Sequence, residues 1–146
     1  GYMGPSHAPV NPSYREVCTG QTDHVEVFDF NYSGGNECFE KLCRHFFAFH
    51  DPTTSNRQGN DIGTQYASVI YCYTDDQIKV ANKVKNDFQR LAEKKIVRYS
   101  SPEVLTEIRK ATIFYPAEDE HQAYLANNPG GYCNHFYRVD LKSLMW

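Results

Sequence analysis

Apolar and polar residues alternate along a stretch near the start of the chain. In DHVEVFDFNY, Val25 and Val27 fall on one face, and Glu26, Phe28 and Phe30 fall on the other. Such alternation, in a segment rich in β-branched and aromatic residues, predicts a strand. One face of this strand is therefore expected to carry a carboxylate among aromatic side chains.

Two helices are predicted from apolar residues that recur every three or four positions. The first lies in NECFEKLCRHFFAFHD, where the apolar stripe indicates core packing and not a binding surface. The second follows a capping box, in which Thr74 is the N-cap and Gln77 comes three residues later. The apolar positions are Phe39, Leu42, Cys43, Phe46 and Phe47 in the first helix, and Ile78, Ala81, Val84, Phe88 and Leu91 in the second.

The remaining segments complete an α/β pattern. YASVIYCY and the stretch from Val104 to Ile108 read as strands, and FYPAEDEHQAYL reads as a turn with a short helix. The first 22 residues, rich in proline and glycine, and the tail from Asn127 read as irregular segments, and the tail is expected to move. Helices and strands alternate without a repeat or a linker, so we expect one two-layer α/β domain over residues 1–146.

Composition and charge exclude several classes of function. The net charge is −3, from 15 basic and 18 acidic residues mixed along the chain, so nucleic acid is not an expected partner. No apolar run approaches the roughly 20 residues that cross a bilayer, and the start lacks the pattern of a signal peptide. The five cysteines are an odd number without a Cys-x-x-Cys pair. We expect a cytoplasmic or other reducing compartment, no metal site and no cofactor.

The stretch RQGNDIGTQY has the composition of a site, with two glycines, amides and a single aliphatic residue. Together with Glu26, Asp61, Tyr14, Tyr66 and Cys133 it offers proton transfer and thiol chemistry on a small polar substrate. A structural interpretation stays open for each residue. Asp61 and Tyr66 can order their own loop, Tyr14 can pack beneath it, and Glu26 can be a surface carboxylate.

Four motifs resemble those of the A-class peptide methionine sulfoxide reductases, in the same order and at similar separations. They are NPSYREVCTGQTDHVEV, HDPTTSNRQGNDIGTQY, FYPAEDEHQAYL and NPGGYC. The resemblance implies an α/β sandwich with a mixed sheet, a ferredoxin-like core and long irregular loops. It also implies reduction of the S-epimer of methionine sulfoxide, free or within proteins, with thioredoxin as the usual reductant.

The resemblance assigns roles to five residues. Glu26 matches the family's glutamate, which protonates the sulfoxide oxygen, and Tyr14 and Tyr66 match the two tyrosines that bind this oxygen. Asp61 matches a loop aspartate, which would orient a water molecule or the glycine-rich loop. Cys133 resembles the resolving cysteine, which attacks the sulfenic acid left on the nucleophile and forms the disulfide that thioredoxin opens.

The chain departs from the family pattern at the nucleophile. The family's attacking cysteine lies in a Gly-Cys-Phe-Trp motif, and the 146 residues contain no such motif. We expect the strand, the helix and the nucleophile of this N-terminal segment to be missing, and this chain to be inactive alone. Trp146 cannot take the role of the missing tryptophan. The other cysteines, Cys18, Cys38, Cys43 and Cys72, are interpreted as bystanders.

Three explanations of this departure remain open. The chain is a C-terminal portion of an ordinary enzyme, or a separate polypeptide supplies the missing segment, or the chain is a non-catalytic relative that binds methionine sulfoxide peptides or has a structural role. The presence of the oxygen-binding residues together with Cys133 favours the first two, because a pure scaffold has no need of a resolving thiol.

Overall fold

The structure is a computed structural model that describes residues 1–140, so Trp146 lies outside the described residues. It contains short strands, two long helices, two short helices and two 3-10 turns. Their bounds are β1 Tyr2–Met3, α1 Tyr14–Cys18, β2 Val25–Glu26, α2 Gly35–Phe49, β3 Arg57–Gln58, β4 Asp61–Ile62, a 3-10 turn Thr64–Tyr66, β5 Val69–Cys72, α3 Asp75–Glu93, β6 Glu107–Lys110, a 3-10 turn Asp119–His121 and α4 Tyr124–Asn127.

The two long helices form one layer, and their apolar faces build the core. Both helices occur where the sequence predicts them, and α3 begins at the predicted capping box of Thr74 and Gln77. The rings of Phe47 and Phe88 are fully buried and stack with their centroids 5.3 Å apart. Cys72 of β5 joins the same core. No helix within residues 1–140 is long and apolar enough to span a membrane.

The strands form antiparallel and parallel pairs, and the α/β class is confirmed. Within residues 1–140 they make three two-stranded sheets, whose pairs are β1 with β2, β3 with β4 and β5 with β6. The first two pairs are antiparallel, whereas β5 and β6 are parallel, with Ile70 opposite Ile108. Helix α3 packs against β5 and β6, and α2 packs against α3.

Two predicted strands have different bounds in the structure. The strand predicted over 104–108 lies at Glu107–Lys110, because Glu107 is its first residue with a partner in β5, namely Val69. The long strand predicted from Asp23 is reduced to Val25–Glu26. Its partner is short: the last backbone hydrogen bonds of the pair join Val27 to Gly1, at 2.8 and 2.9 Å. The strand pairing ends at this point, and the next residue, Phe28, is 85% exposed.

The first 22 residues are more ordered than their composition suggests. They contain β1 and the five-residue helix α1, whereas the sequence predicted an irregular segment. The N-cap of α1 is Ser13, and its side chain and that of Glu16 form a capping box. The signal was present in the sequence as Ser-x-x-Glu. Cys18 is consequently the last residue of a helix, one turn after Tyr14, and does not lie in a loop.

The tail is anchored to the core on the far side of Cys133. The buried carboxylate of Asp51 accepts hydrogen bonds from the backbone and side chain of Ser100, at 3.0 and 2.6 Å. The Arg138 guanidinium lies 3.5 Å from the same carboxylate. The backbone of Arg138 also bonds to Ala48 and Arg98, at 2.8 and 2.9 Å. The segment that carries Cys133 is therefore held at its end and not only at its beginning.

Candidate functional site

Four of the predicted site residues lie together although they come from four separate elements. Glu26 is on β2, Tyr14 opens α1, Asp61 opens β4 and Tyr66 closes the first 3-10 turn. The negative charge of Glu26 raises the pKa of both tyrosines, and the charge of Asp61 raises the pKa of Glu26. Such mutual effects require proximity. We call these four residues the oxygen cluster.

The Glu26 carboxyl is reached by water and is nevertheless crowded by protein. Its residue surface is exposed, yet its pKa is raised from the ordinary 4.5, with desolvation by the surrounding protein as the largest cause. The charge of His121 opposes this rise, and that of Asp61 adds to it. A carboxyl in such surroundings keeps its proton to a higher pH than a free glutamate does.

The Tyr14 side chain faces both Glu26 and a cysteine. Its pKa is raised to about 12, first by a hydrogen bond to the Cys18 thiol and the charge of that group, then by burial and by Tyr66 and Glu26. A phenol with a raised pKa stays protonated and can donate a hydrogen bond. The ring packs on His121, with centroids 4.4 Å apart, and this contact fixes the plane of the ring.

Tyr66 is directed to the cluster by a tight turn. Burial raises its pKa, and the charges of Glu26 and Asp61 raise it further. The turn begins at Gly63, whose φ is 151° and where a Cβ would collide with the Gln65 side chain. The Gln65 amide is buried and donates to the Cys18 carbonyl at 3.4 Å. The turn that carries Tyr66 is thereby joined to the helix that carries Tyr14.

The segment that carries Cys133 is joined to Asp61 through the next residue, Asn134. The amide of Asn134 donates to the Asp61 carboxylate at 2.8 Å and to the Gln58 carbonyl at 2.6 Å. The exposed Cys133 sulfur lies 3.9 Å from Nδ1 of His135. Asp61 therefore has a visible structural function, since it holds the segment that carries Cys133 against the β3 and β4 hairpin.

Three residues near the cluster were not identified from the sequence. Cys18, interpreted as a bystander, is the largest influence on the pKa of the Tyr14 phenol, and His121 packs on the Tyr14 ring. Glu118 accepts a hydrogen bond from the Tyr14 backbone at 2.7 Å. The resemblance of FYPAEDEHQAYL to the family was the only signal in the sequence that pointed to the last two. The influence of Cys18 follows from α1, which was also missed.

The cysteines within the core have the properties of inert thiols. Burial raises the pKa of Cys43 to about 12 and that of Cys72 to about 11. All five cysteines are free. Within residues 1–140, no group of three or more histidine, cysteine or acidic side chains is placed to hold a metal ion.

An open groove of about 360 Å³ flanks the cluster without including its four side chains. Val25 of β2 and Tyr71 of β5 lie on its walls, together with Gly4, Thr64 and Arg109. In the described residues β2 pairs only with β1, and β5 pairs only with β6. The groove thus lies between two strands that each have a free edge.

The oxygen cluster has the chemistry to bind and protonate a polar oxygen. Glu26 supplies a carboxyl that releases its proton at a higher pH than usual, and Tyr14 and Tyr66 supply phenol donors. Donors that are already oriented stabilise negative charge that develops on an oxygen. An oxygen that gains charge while a bond to it breaks is the group that this arrangement suits.

The comparisons with known proteins agree with this chemistry. The model of the peptide methionine sulfoxide reductase family matches residues 1–145. Peptide methionine sulfoxide reductase MsrA of Polynucleobacter asymbioticus is 48% identical over 91% of this chain and 66% of its own length. The mitochondrial peptide methionine sulfoxide reductase of Rattus norvegicus is 43% identical over 84% of this chain and 51% of its own length. The chain thus spans about half to two thirds of these relatives.

Solved structures resemble the fold over most of the chain. Mxr1 from Saccharomyces cerevisiae in reduced form has a TM-score of 0.82 at 37% identity, over 94% of this chain and 75% of its own. Methionine sulfoxide reductase A of Corynebacterium diphtheriae has a TM-score of 0.72 at 38% identity, over 91% of this chain and 64% of its own.

The raised pKa of Glu26 predicts how replacement by glutamine changes stability. In the folded protein the pKa of Glu26 exceeds the ordinary 4.5. Ionisation of Glu26 therefore lowers the free energy of unfolding at pH values above the folded pKa, and it has no effect at pH values well below 4.5, where the carboxyl is protonated in both states. Glu26→Gln should therefore raise the free energy of unfolding at neutral pH, and this gain should vanish at about pH 3.5. Urea unfolding at both pH values measures it, with the exposed Glu120→Gln as control. A Glu26→Gln variant that is less stable than wild type at neutral pH would contradict the desolvation of this carboxyl.

Proposed function

Because this chain belongs to the peptide methionine sulfoxide reductase family, we propose that it forms the oxygen-binding part of an enzyme that reduces methionine S-sulfoxide to methionine. The observation that carries the proposal is the raised pKa of the Glu26 carboxyl, together with the effect of the Glu26 charge on the pKa of both Tyr14 and Tyr66. The substrate is methionine sulfoxide, free or in proteins, and the result is repair of oxidised proteins.

The oxygen cluster acts on the sulfoxide oxygen while a thiolate attacks the sulfur. The attack forms a bond between the cysteine sulfur and the substrate sulfur, and the S–O bond of the substrate breaks as its oxygen takes up the Glu26 proton and a second proton and leaves as water. Water then attacks the cysteine sulfur, which breaks the S–S bond, releases methionine and returns one proton. The products are methionine and a cysteine sulfenic acid. Tyr14 and Tyr66 donate hydrogen bonds to the oxygen as its negative charge increases. Asp61 supports this site by holding the loop around it.

The attacking thiol is supplied by a segment outside these 146 residues, either upstream in the same protein or on a separate polypeptide. The five cysteines include none in a Gly-Cys-Phe-Trp motif. A thiolate requires a setting that lowers its pKa, such as a helix N-terminus, and Cys18 instead ends a helix. The free edges of β2 and β5 on the two sides of the groove support a strand as the form in which this segment binds.

Cys133 acts as the resolving thiol, and thioredoxin acts as the reductant. The Cys133 thiol attacks the sulfenic acid, which forms a disulfide and releases water, and a dithiol then reduces this disulfide. Exposure of Cys133 supports both steps, because each needs access to its sulfur. The proposed location is the cytoplasm or another reducing compartment, where free thiols persist.

Replacement of Glu26 by glutamine tests the acid. The variant keeps the shape of the side chain and loses the transferable proton, so reduction should slow by roughly 10² to 10⁴, the usual range of general acid catalysis. Substrate binding should change less. The measurement is single-turnover methionine formation in protein that includes the attacking cysteine. A variant that reduces sulfoxide at the wild-type rate would leave Glu26 as a structural carboxylate.

Replacement of Cys133 by serine separates the two halves of the cycle. With the attacking cysteine present, Cys133→Ser should complete one reduction and should fail to cycle with thioredoxin, because no thiol remains to convert the sulfenic acid into a disulfide. Methionine formed per protein is measured with thioredoxin and with dithiothreitol, with Cys38→Ser as the matched control. The 146-residue chain alone should not turn over. Turnover by this chain alone would indicate that Cys18 is the nucleophile. Absence of turnover in protein that includes the missing segment would favour a binding or structural protein.

A further inference from the structure

Glu118 connects two parts of the chain that hold opposite sides of the oxygen cluster. One carboxylate oxygen accepts a hydrogen bond from the Tyr14 backbone N–H at 2.7 Å. The other accepts from the Tyr2 hydroxyl at 2.9 Å. The two contacts bridge 104 and 116 positions along the chain. One side chain thereby joins α1 to β1.

The contact with Tyr14 completes the N-terminus of a helix that is too short to be stable alone. The first backbone N–H groups of a helix have no partner within it, and helices of fewer than about 12 residues are marginal in isolation. In α1 the capping box satisfies Glu16 and the N-cap Ser13. Glu118 satisfies Tyr14, the first residue of the helix. The orientation of α1, and with it that of the Tyr14 side chain, is therefore fixed from outside the helix.

The contact with Tyr2 links this helix to β1, which pairs with the strand that carries Glu26. Tyr2 is 2% exposed and pairs directly across β1 and β2 with Glu26. Its backbone is also paired with Tyr115 in both directions, at 2.8 and 2.9 Å. Residues directly opposite in an antiparallel pair share a face of the sheet. Glu118 therefore connects Tyr14 to a side chain that lies on the same face as Glu26.

The ring of Tyr14 is held by the same segment that holds its backbone. Glu118 is the N-cap of the 3-10 turn Asp119–His121. The His121 ring, at the end of this turn, packs against Tyr14 with centroids 4.4 Å apart. Backbone and ring of Tyr14 are thus fixed by two side chains three positions apart.

We propose that Glu118 is a positioning residue, which sets the Tyr14 hydroxyl against Glu26 by tying α1 to β1. This inference rests on the proposed function, in which Tyr14 binds the sulfoxide oxygen. Glu118 itself does not touch the substrate, and it acts through the placement of Tyr14. The contribution is geometric: an acceptor for the Tyr14 N–H and a partner for the Tyr2 hydroxyl are both required, and a negative charge is not.

Two variants separate geometry from charge. Glu118→Ala removes both contacts. Glu118→Gln retains both, because its amide oxygen accepts from the Tyr14 N–H and its amide nitrogen donates to the Tyr2 hydroxyl, which then accepts. In NMR spectra of the 146-residue chain, Glu118→Ala should shift the Tyr14 amide and the His121 ring signals, and Glu118→Gln should largely preserve them. Glu120→Ala, an exposed carboxylate in the same turn, is the matched control.

The decisive test is a double-mutant cycle in protein that includes the attacking cysteine. Glu118→Ala should slow single-turnover reduction by roughly 10- to 100-fold, the cost of a small misplacement at a reacting centre. In a Tyr14→Phe background the same change should cost less than about 3-fold, because residues that act through one another are not additive. Glu118→Gln should reduce sulfoxide within about 3-fold of wild type.

The outcomes distinguish the inference from the proposed function. If the parent protein neither binds nor reduces sulfoxide, the proposed function is overturned. The NMR comparison then tests only whether Glu118 positions Tyr14. Unchanged Tyr14 and His121 signals in Glu118→Ala overturn the inference whatever the activity. Full additivity of Glu118→Ala and Tyr14→Phe, with the parent active, overturns it as well and leaves Glu118 with a role in stability only.

Discussion

Desolvation of the Glu26 carboxyl is the constraint on which the candidate site depends. Water reaches this group, yet the surrounding protein raises its pKa, and the charge of Asp61 raises it further. The charge of His121 acts in the opposite direction and limits the rise. An acid that binds its proton too weakly or too tightly is a poor proton donor near neutral pH. In the proposed function, Tyr14 and Tyr66 add hydrogen-bond donors to such an acid.

The elements around the site are too short to hold it by backbone hydrogen bonds alone. The strands β1 to β4 have two residues each, and α1 has five. Three polar side chains supply what these elements lack: Asp51 holds Arg138 of the tail, Asn134 fixes the tail to Asp61, and Glu118 fixes α1 to β1. The exposed contact of Glu118 with Tyr14 specifies geometry more than it adds stability, since exposed polar interactions contribute little net free energy.

The sequence predicted the parts of the fold that repeat a local pattern. The helices α2 and α3 follow from apolar stripes, and the start of α3 follows from the capping box at Thr74. The shifted start of β6 and the short β2 depend on pairing partners, which no local pattern reveals. The assembly of the oxygen cluster was implied by resemblance to a family and not by periodicity. Glu118 was missed because its partner Tyr14 lies 104 positions away.

Glu26 and the two phenols are proposed to form a site for a sulfoxide oxygen. NMR observation of the Glu26 carboxyl carbon in the 146-residue chain tests this claim most directly, with the signal assigned through Glu26→Gln. N-acetyl-methionine S-sulfoxide should shift this signal saturably, together with the ring signals of Tyr14 and Tyr66. N-acetyl-methionine, which lacks the oxygen, should leave all three unchanged at the same concentration. An equal response to both compounds, or no response to the sulfoxide, would contradict the claim.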